Sequence, residues 1–568
     1  MMISCHRLYK IIRESNELWR LKFLKRWQNF SLEKEEIDCM VWYEWTSVRL
    51  KVSIVVKKTV ETLSAIYHPD GKVPMSILDK LIEKMEGKEH PILMFVEDEL
   101  RDLIFHQEKN EALTLSYYAS GLLDNLKRCR QFKNWQEFRT QPPSHKSLLK
   151  GAVLISLWFQ NCFLEDKDDL IHFISLSEIE YSLESIAQKV KQIFLKTKNT
   201  TFTTKEFIDP IKNGRKLLDI INIVLFDEMS FHVTLVEYHD ENLLSIDKVL
   251  KTREGCPTIL CIIYYEIARM MGIKCHPVYF GDKLLLRWQE YSEDDNSDSF
   301  FYIDVCDRGS LKHSVFYPAI IQNKPAAAVD IFQQMMHEFN QSVNEIIRTE
   351  DDPVDVFILK SCQSNSVRLA CAITPLQIPC INEYAELCLN NGMYLDDAIQ
   401  LLQSVGRRDD DSLIVRCKNE LTKQQEEIDA AKIPYRRLPS IKYAVGLVMN
   451  YKYEDLEDDG VNRVMRSSIC VITSWYDKFK ESKEWTTGEG VYNLDQPFYH
   501  ILLDEDDPAS FNTRSLCEET LELHPTGVAI KHDELGNHFE RFDGRKYVPN
   551  AEKRVHYPED EAVDISII

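Results

Sequence analysis

The stretch REGCPTILCIIYYEIARMMG, residues 253–272, most constrains what this 568-residue chain can fold into. It predicts a helix that begins just after Gly255 and carries Cys256 and Cys261 in its first turns, where a thiol can serve as a nucleophile. The segments that follow, CHPVYF, KLLLRWQEY and SFFYIDVCD, alternate as strands do. A group of helices followed by antiparallel strands predicts an α+β unit.

Prolines divide the rest of the chain. They occur in QPPSH, residues 141–145, and in EIDAAKIPYRRLPS, residues 427–440, and such clusters are typical of domain boundaries. The fold class we predict is multidomain α+β. The predicted parts are an N-terminal helical segment (1–30), a helical linker region (31–141), an α+β domain (142–349), a helical, TPR-like hairpin region with a turn at Gly392 (350–435), a small β-barrel domain (436–558) and a loose acidic tail (559–568).

Charge and cysteine spacing argue against several classes of protein. The formal net charge is −22, so binding to nucleic acid or to an anionic membrane would need a local basic patch. The 15 cysteines include no Cys-x-x-Cys pair, which argues against zinc ribbons and predicts no metal site. A large chain without a signal peptide also argues against a secreted disulfide framework. We expect the protein to be located in the cytoplasm and/or the nucleus and to use no cofactor.

The longest apolar run is LLKGAVLISLWF, residues 148–159. It is too short to span a bilayer and includes Lys150, so it predicts a core helix and no membrane association.

Three segments resemble known families. SCHRLYKIIRESNELWRLKFLKRW, residues 4–27, resembles the C-terminal half of an F-box. Residues 226–280, together with LLLRW and FFYIDVCDRG, resemble the SirB-type transglutaminase-like family. YAVGLVMNYKY, CVITSWYD and QPFYHILLD resemble the YccV-like domain, which is also called the hemimethylated-DNA-binding domain. These segments fall in the predicted parts 1–30, 142–349 and 436–558.

This order of segments resembles an F-box protein, a substrate-recognition subunit of Skp–cullin–F-box ubiquitin ligases. The resemblance implies a Skp adaptor, a cullin and an unknown protein substrate as partners, with Leu8, Leu18 and Trp19 near the adaptor. An F-box begins with a Leu-Pro segment and a first helix, whereas this sequence starts inside the motif. The resemblance therefore implies a shortened form or weakened Skp docking. Alternatively, residues 4–27 are only a basic amphipathic helix.

A transglutaminase-like site uses a Cys at a helix N-terminus, a His on a strand and an Asp that orients the His. The resemblance places these three positions at Pro257, Lys283 and Asp304. Proline offers no nucleophile and suits a first helical turn, and lysine is a poor base near neutral pH unless it is desolvated. The domain is therefore predicted to have no catalytic residues and to be a pseudoenzyme, with its best pocket beside these three positions.

Two questions about this site stay open at the sequence level. Cys256 and Cys261 are either buried structural thiols or the displaced nucleophile of a cysteine-dependent hydrolase. Lys283 and Asp304 either form a salt bridge, or Lys283 points to solvent and Asp304 caps a strand end. A separation beyond about 6 Å would reject the salt bridge.

The C-terminal β domain presents a third choice. Residues 436–568 contain 16 Lys and Arg against 26 Asp and Glu, a net charge of −10 that disfavours duplex DNA. The aromatic residues Trp475, Trp485, Phe498 and Tyr499 either form a surface for stacking DNA bases or binding a peptide degron, or fill the core of the barrel. Binding to DNA or chromatin remains the alternative function.

Overall fold

The chain forms two compact units, residues 1–126 with 419–568 and residues 127–418, so the first unit is built from two distant segments of the sequence. The structure is a computed structural model. It describes residues 10–27, 41–63, 73, 75–83, 89–105, 111–142, 146–160, 174–197, 210–234, 240–290, 299–313, 324–349, 353–431, 433–456, 463–477, 496–505 and 513–563.

Helices make up a large part of the described residues in both units. In chain order they are α1 (Asn16–Arg26), α2 (Trp42–Leu63), α3 (Met75–Glu83), α4 (Glu89–Phe105), α5 (Leu113–Thr140), α6 (Leu148–Gln160), α7 (Leu176–Thr197), α8 (Pro210–Asn222), α9 (Ile246–Thr252), α10 (Pro257–Met270), α11 (Ala328–Thr349), α12 (Pro353–Ile373), α13 (Ile378–Asn391), α14 (Leu395–Ser404), α15 (Ser412–Ala431), α16 (Leu535–His538) and α17 (Ala551–His556).

The strands form small sheets. They are β1 (His232–Val233), β2 (Glu254–Gly255), β3 (Cys275–Phe280), β4 (Lys283–Glu290), β5 (Ser299–Asp304), β6 (Ser310–His313), β7 (Val448–Leu456), β8 (Arg463–Tyr476), β9 (Phe498–Leu503), β10 (Thr513–Cys517), β11 (Leu521–Leu523), β12 (Phe539–Phe542) and β13 (Tyr547–Pro549). The predicted multidomain α+β class is confirmed.

Helix α10 is the central element of the second unit. Ten of its fourteen residues are buried, so other elements surround it on nearly every side. Its neighbours include α6, α7, α8 and β4. The helix begins with Pro257 after Cys256, which has an extended backbone, and a proline in the first turn gives up no hydrogen bond. Gly255 precedes this start because a Cβ there would lie 2.7 Å from Val249.

The antiparallel sheet beside α10 has the strand order β3-β4-β5-β6. Residues 284–286 are buried in succession, which shows that both faces of β4 are covered. Leu284 and Leu286 join the large core around α10, while Leu285 packs with Val278 and Tyr302 on the opposite face. The strands predicted from alternation are present, and their antiparallel pairing places the start of β4 and the end of β5 at the same end of the sheet.

Helices α12 to α15 occupy the region that was predicted to be a helical hairpin. Helices α13 and α14 are joined at Gly392, whose φ of 63° is left-handed, as the predicted turn requires. Arg368 of α12 contacts both α14 and α5. It forms an ion pair with Asp397, and its guanidinium lies 3.8 Å from the ring centre of Phe132.

The N-terminal helices of the first unit assemble around one buried cation. Arg49 of α2 is fully buried, and its guanidinium lies 2.5 Å from the carboxylate of Asp98 and 2.7 Å from that of Glu99. Trp27 and Phe95 place their rings 5.2 and 5.4 Å from the same group. Because a buried charge needs compensation, these contacts fix the C-terminal end of α1 to the middle of α2 and of α4.

The C-terminal sheet of the first unit has the strand order β10-β9-β8-β7-β11, and all its pairings are antiparallel. The sequence predicted a small barrel. Within the described strands the sheet is a half-barrel, because the edge strands β10 and β11 do not pair with each other. The bend lies in β8, where the register shifts between Ile472 and Ser474.

The expectation of a loose acidic tail after residue 558 is wrong for Asp560. This carboxylate is buried and accepts hydrogen bonds from Arg437 Nη1 at 2.6 Å, from the backbone N–H of Val445 at 2.8 Å and from Trp475 Nε1 at 2.8 Å. A run of acidic residues predicts solvent exposure only when none of its carboxylates is bound by buried hydrogen-bond donors from elsewhere in the chain. Here three donors converge on a single carboxylate.

Asp560→Asn should destabilise the first unit by about 3 kcal/mol, because it leaves the partly buried Arg437 without its counter-charge. Hydrogen–deuterium exchange in the segment around Val445 should become faster, and the denaturation midpoint should fall. The matched control is Glu561→Gln, since Glu561 is exposed and meets Arg554 only at 3.7 Å. Equal exchange in the two variants would contradict a structural role for Asp560.

Candidate functional site

The start of α10 places a cysteine and a proline together. Cys256 precedes the helix, and its Sγ contacts Met335 Sδ at 3.9 Å within the core. Its backbone N–H donates to Leu243 O at 3.0 Å, which holds the segment in an extended conformation. The position predicted to correspond to a nucleophile is Pro257, which is half-buried and carries no reactive atom.

Lys283 and Asp304 meet at one end of the two central strands of the sheet. Lys283 begins β4, Asp304 ends β5, and Lys283 Nζ lies 2.5 Å from Asp304 Oδ2. The predicted salt bridge is therefore confirmed, and the alternative in which Lys283 points to solvent is wrong. The second half of that alternative is correct, because Asp304 Oδ1 also caps the strand end by accepting from the backbone N–H of Cys306 at 3.1 Å.

Asp304 carries a buried negative charge that a second lysine helps to balance. Its side chain is 1% exposed, whereas Lys283 is 39% exposed. Lys312 of β6 lies 3.7 Å from the same carboxylate oxygen and 2.7 Å from Asp307. The carboxylate is thus bound by cations from two neighbouring strands, so its oxygens are engaged in structural contacts.

The turn after Asp304 is fixed by Asn222 at the end of α8. Asn222 Nδ2 donates to Gly309 O at 2.9 Å, and its Oδ1 accepts from Tyr264 OH of α10 at 2.8 Å. Gly309 has φ 73°, and a Cβ there would overlap the Asn222 amide. Sequence reasoning missed Asn222, although the tripeptide DRG, residues 307–309, indicates a tight turn.

The thiols around α10 are held in their neutral form. Burial raises the pKa of Cys256 to about 12 and that of Cys275 to about 12, and it raises the pKa of Cys261 well above its usual value. Cys306 is exposed, yet burial of its sulfur and the charge of Asp304 raise its pKa, against the opposing effect of Lys283. Since the thiolate is the nucleophile, this arrangement suppresses cysteine chemistry at neutral pH.

His276 is not positioned to act as a base for these thiols. It lies on β3 opposite Arg287 of β4 and is exposed. Partial burial, followed by the charges of Arg287 and Lys274, lowers its pKa. Within the described part of the chain, no group of three or more His, Cys, Asp or Glu side chains is arranged to hold a metal ion.

The predicted adaptor-proximal residues differ in exposure. Leu18 is 37% exposed on α1, whereas Trp19 is half-buried, with its ring 5.1 Å from that of Tyr43 and its Nε1 donating to Ile12 O. Leu8 lies outside the described residues. Leu21 and Leu24 on the same helix are 63% and 38% exposed, and they continue the exposed apolar side of Leu18 at helical spacing.

Three of the four aromatic residues proposed for a surface of the β domain are not on a surface. Trp475, Phe498 and Tyr499 are all buried, which agrees with the alternative that they fill the core. Trp475 is held by Asp560, and Tyr499 OH donates to Glu518 at 2.8 Å. Alternation in the sequence identified these residues but could not decide which face of the strands would be covered. Trp485 lies outside the described residues.

Comparisons with known proteins agree with this architecture. The model of the transglutaminase-like superfamily matches residues 177–342, and the model described as hemimethylated DNA-binding protein YccV like matches residues 441–546. F-box only protein 21 of Pongo abelii is 27% identical over 581 residues, which covers 98% of this chain and 87% of that protein.

The chain is similar to F-box only protein 21 along almost its full length. The proteins of that name from Mus musculus and Homo sapiens are each 27% identical over 587 residues, covering 98% of this chain and 88% of theirs. No solved structure matches the chain. The predicted resemblance and the two predicted domain types are confirmed. Among the described helices, none combines the length and hydropathy needed to cross a bilayer.

Lys283→Met should lower the free energy of unfolding by about 1–2 kcal/mol, because Asp304 stays buried while its nearer cation is lost and Lys283 was partly screened by water. Denaturant titration measures the change. Lys274→Met, at an exposed lysine next to the same sheet, is the matched control and should change stability by less than about 0.5 kcal/mol. Adding Asp304→Leu to Lys283→Met should recover part of the loss; further destabilisation would contradict this account.

Alkylation of Cys256 by iodoacetamide should be slow at pH 7.5 and should still rise at pH 9. A pKa raised to about 12 leaves the neutral thiol dominant, so the thiolate fraction increases about tenfold per pH unit without a plateau in this range. Mass spectrometry of native protein measures the rates, with the exposed Cys306 as internal reference. A rapid reaction that levels off near pH 7 would instead identify Cys256 as an activated nucleophile.

Proposed function

We propose that this chain is a substrate-recognition subunit of a Skp–cullin–F-box ubiquitin ligase and that its transglutaminase-like domain is non-catalytic. The observation that carries the proposal is the similarity to F-box only protein 21 over 98% of the chain. A receptor of this kind makes no bond itself. It holds a target near the ubiquitin carrier and so raises the effective concentration of the reacting groups.

The first helix supplies a surface suited to adaptor docking. On one side of α1, Phe23 is buried and its ring lies 5.3 Å from that of Trp42 and 6.1 Å from that of Phe95. Leu18, Leu21 and Leu24 are exposed on the same helix. A helix anchored by one face and apolar on another is a surface that a protein partner can cover.

The geometry at α10 supports a non-catalytic role for the transglutaminase-like domain. Pro257 cannot attack a carbonyl group, and Lys283 is held in an ion pair with Asp304. The nearby buried thiols stay protonated at neutral pH because burial raises their pKa values. We propose that this domain and the β domain provide target-binding surfaces, and that the receptor acts in the cytoplasm or the nucleus.

DNA binding through the β domain is less well supported. The description of the matching family names hemimethylated DNA. Residues 436–568, however, carry a net charge of −10, and three of the four candidate stacking residues are buried. Since affinity for duplex DNA depends on cations that displace counterions from phosphates, the charge favours a protein ligand.

Co-purification from cells tests the receptor function. The full chain should recover a Skp adaptor and a cullin, and Leu21→Asp combined with Leu24→Asp should abolish both, because charges on an apolar contact surface leave carboxylates unpaired at the interface. Ile54→Asp is the matched control, since Ile54 is 68% exposed on α2, outside the proposed docking helix.

The controls separate docking from folding. The Ile54→Asp variant should recover the adaptor as the unaltered chain does, and circular dichroism should show that the double variant keeps its helices. Absence of both the adaptor and the cullin from the unaltered chain would overturn the proposal. Their retention by the double variant would show that α1 is not the docking surface.

A further inference from the structure

Two free cysteines face each other where α12 meets α13. Cys371 lies in the last turn of α12 and Cys380 in the first turn of α13, with only residues 374–377 between the helices. Cys371 Sγ donates to Cys380 Sγ at 3.4 Å, and Cys380 Sγ in turn donates to Val367 O at 3.6 Å. The chain reverses at this point, so thiols nine residues apart come into contact.

The surroundings of this pair favour a thiolate on Cys380. It is the third residue of a fourteen-residue helix, where the exposed backbone N–H groups and the helix dipole stabilise negative charge. The hydrogen bond from Cys371 lowers the pKa of Cys380 and raises that of Cys371. The guanidinium of Arg368 also favours the thiolate, while burial and the charge of Glu383 oppose it.

The connection is accessible to a small oxidant. Cys380 is half-buried, and Leu376 and Ile378 beside it are 80% and 50% exposed. Cys371 is fully buried, so an oxidant reaches Cys380 first. The nearest comparison in sequence is Cys388, on the same helix, whose pKa burial raises to about 12.

We propose that Cys371 and Cys380 form a redox-active dithiol that closes reversibly to a disulfide when a peroxide oxidises Cys380. This modification site is independent of the receptor function proposed above. Disulfides in reducing compartments are typically transient and redox-sensing. Closure requires the two sulfur atoms to approach from 3.4 Å to about 2.0 Å.

The chemistry requires hydrogen peroxide and no further reactant. The Cys380 thiolate attacks one peroxide oxygen, the O–O bond breaks, and the released hydroxide takes a proton to become water, leaving a sulfenic acid on Cys380. Cys371 sulfur then attacks Cys380 sulfur, the S–O bond breaks, and hydroxide leaves with the Cys371 proton as a second water. Two thiols are oxidised by two electrons, and one peroxide is reduced. A dithiol reductant reverses the product by exchange.

Mass spectrometry of the full chain tests this directly. The protein is treated with hydrogen peroxide, quenched in acid, unfolded and alkylated with N-ethylmaleimide. Trypsin releases residues 369–407 as one peptide that contains Cys371, Cys380 and Cys388. We expect a form that has lost two hydrogens and carries one alkyl group, on Cys388. Labelling of Cys371 and Cys380 should fall at least about fivefold and return after dithiothreitol.

Single substitutions identify the order of events. Cys371→Ser removes the resolving thiol, so Cys380 should accumulate as a sulfenic acid that dimedone captures. Cys380→Ser should leave Cys371 fully alkylated after peroxide. Cys388→Ser is the matched control, because it removes a thiol from the same helix without altering the pair, and its disulfide yield should equal that of the unaltered chain.

Three results would overturn the proposal. Full alkylation of both cysteines after peroxide would show a pair that only packs. Oxidation of Cys380 while Cys371 stays alkylatable would show a single oxidised thiol without the bond. Equal disulfide formation in urea would show that proximity in sequence, and not the folded contact between α12 and α13, brings the thiols together.

Discussion

The burial of α10 on almost every side is the constraint on which the second unit depends. A helix with this composition is stable in water only inside a shell of other elements. Helices α6, α7 and α8 and the sheet of β3 to β6 supply that shell. Because the start of the helix lies inside this packing, Cys256 becomes a core residue in contact with Met335. The same burial that makes the fold therefore keeps its sulfur protonated.

Asp304 is a buried carboxylate whose oxygens are engaged in structural contacts. It lies at the end of β5, beside the start of β4, where a histidine would be needed to form a triad. Lys283 occupies that place, and two lysines and a backbone N–H bind the carboxylate. A buried ion pair of this kind adds little net stability compared with apolar residues, but loss of one member is costly. Such a site therefore tolerates few substitutions.

Local pattern predicted much of this structure and could not predict the rest. The helix at Pro257, the strands after it and the Gly392 turn follow from residues adjacent in sequence, and the resemblance to a known family brought Lys283 and Asp304 together. The burial of Asp560 depends on Arg437, Val445 and Trp475, which lie far away in the sequence. The sequence left open whether Trp475 and Tyr499 form a surface or fill the core, because residues distant in sequence decide what covers them. The contact between Cys371 and Cys380 depends on how a four-residue connection turns.

The division of the chain into units has a consequence for its synthesis on the ribosome. The second unit is continuous in sequence, whereas the first needs residues 1–126 together with residues 419–568. Its N-terminal helices are synthesised before the second unit. Adding the roughly 300 residues that separate its two segments takes about 15–60 s at ordinary elongation rates. During that interval apolar residues of α5 that later meet the C-terminal domain, such as Leu113, have no native cover from it. Synthesis of the first unit thus begins first and is completed last. Its N-terminal segment is exposed to chaperones while the rest of the chain is made.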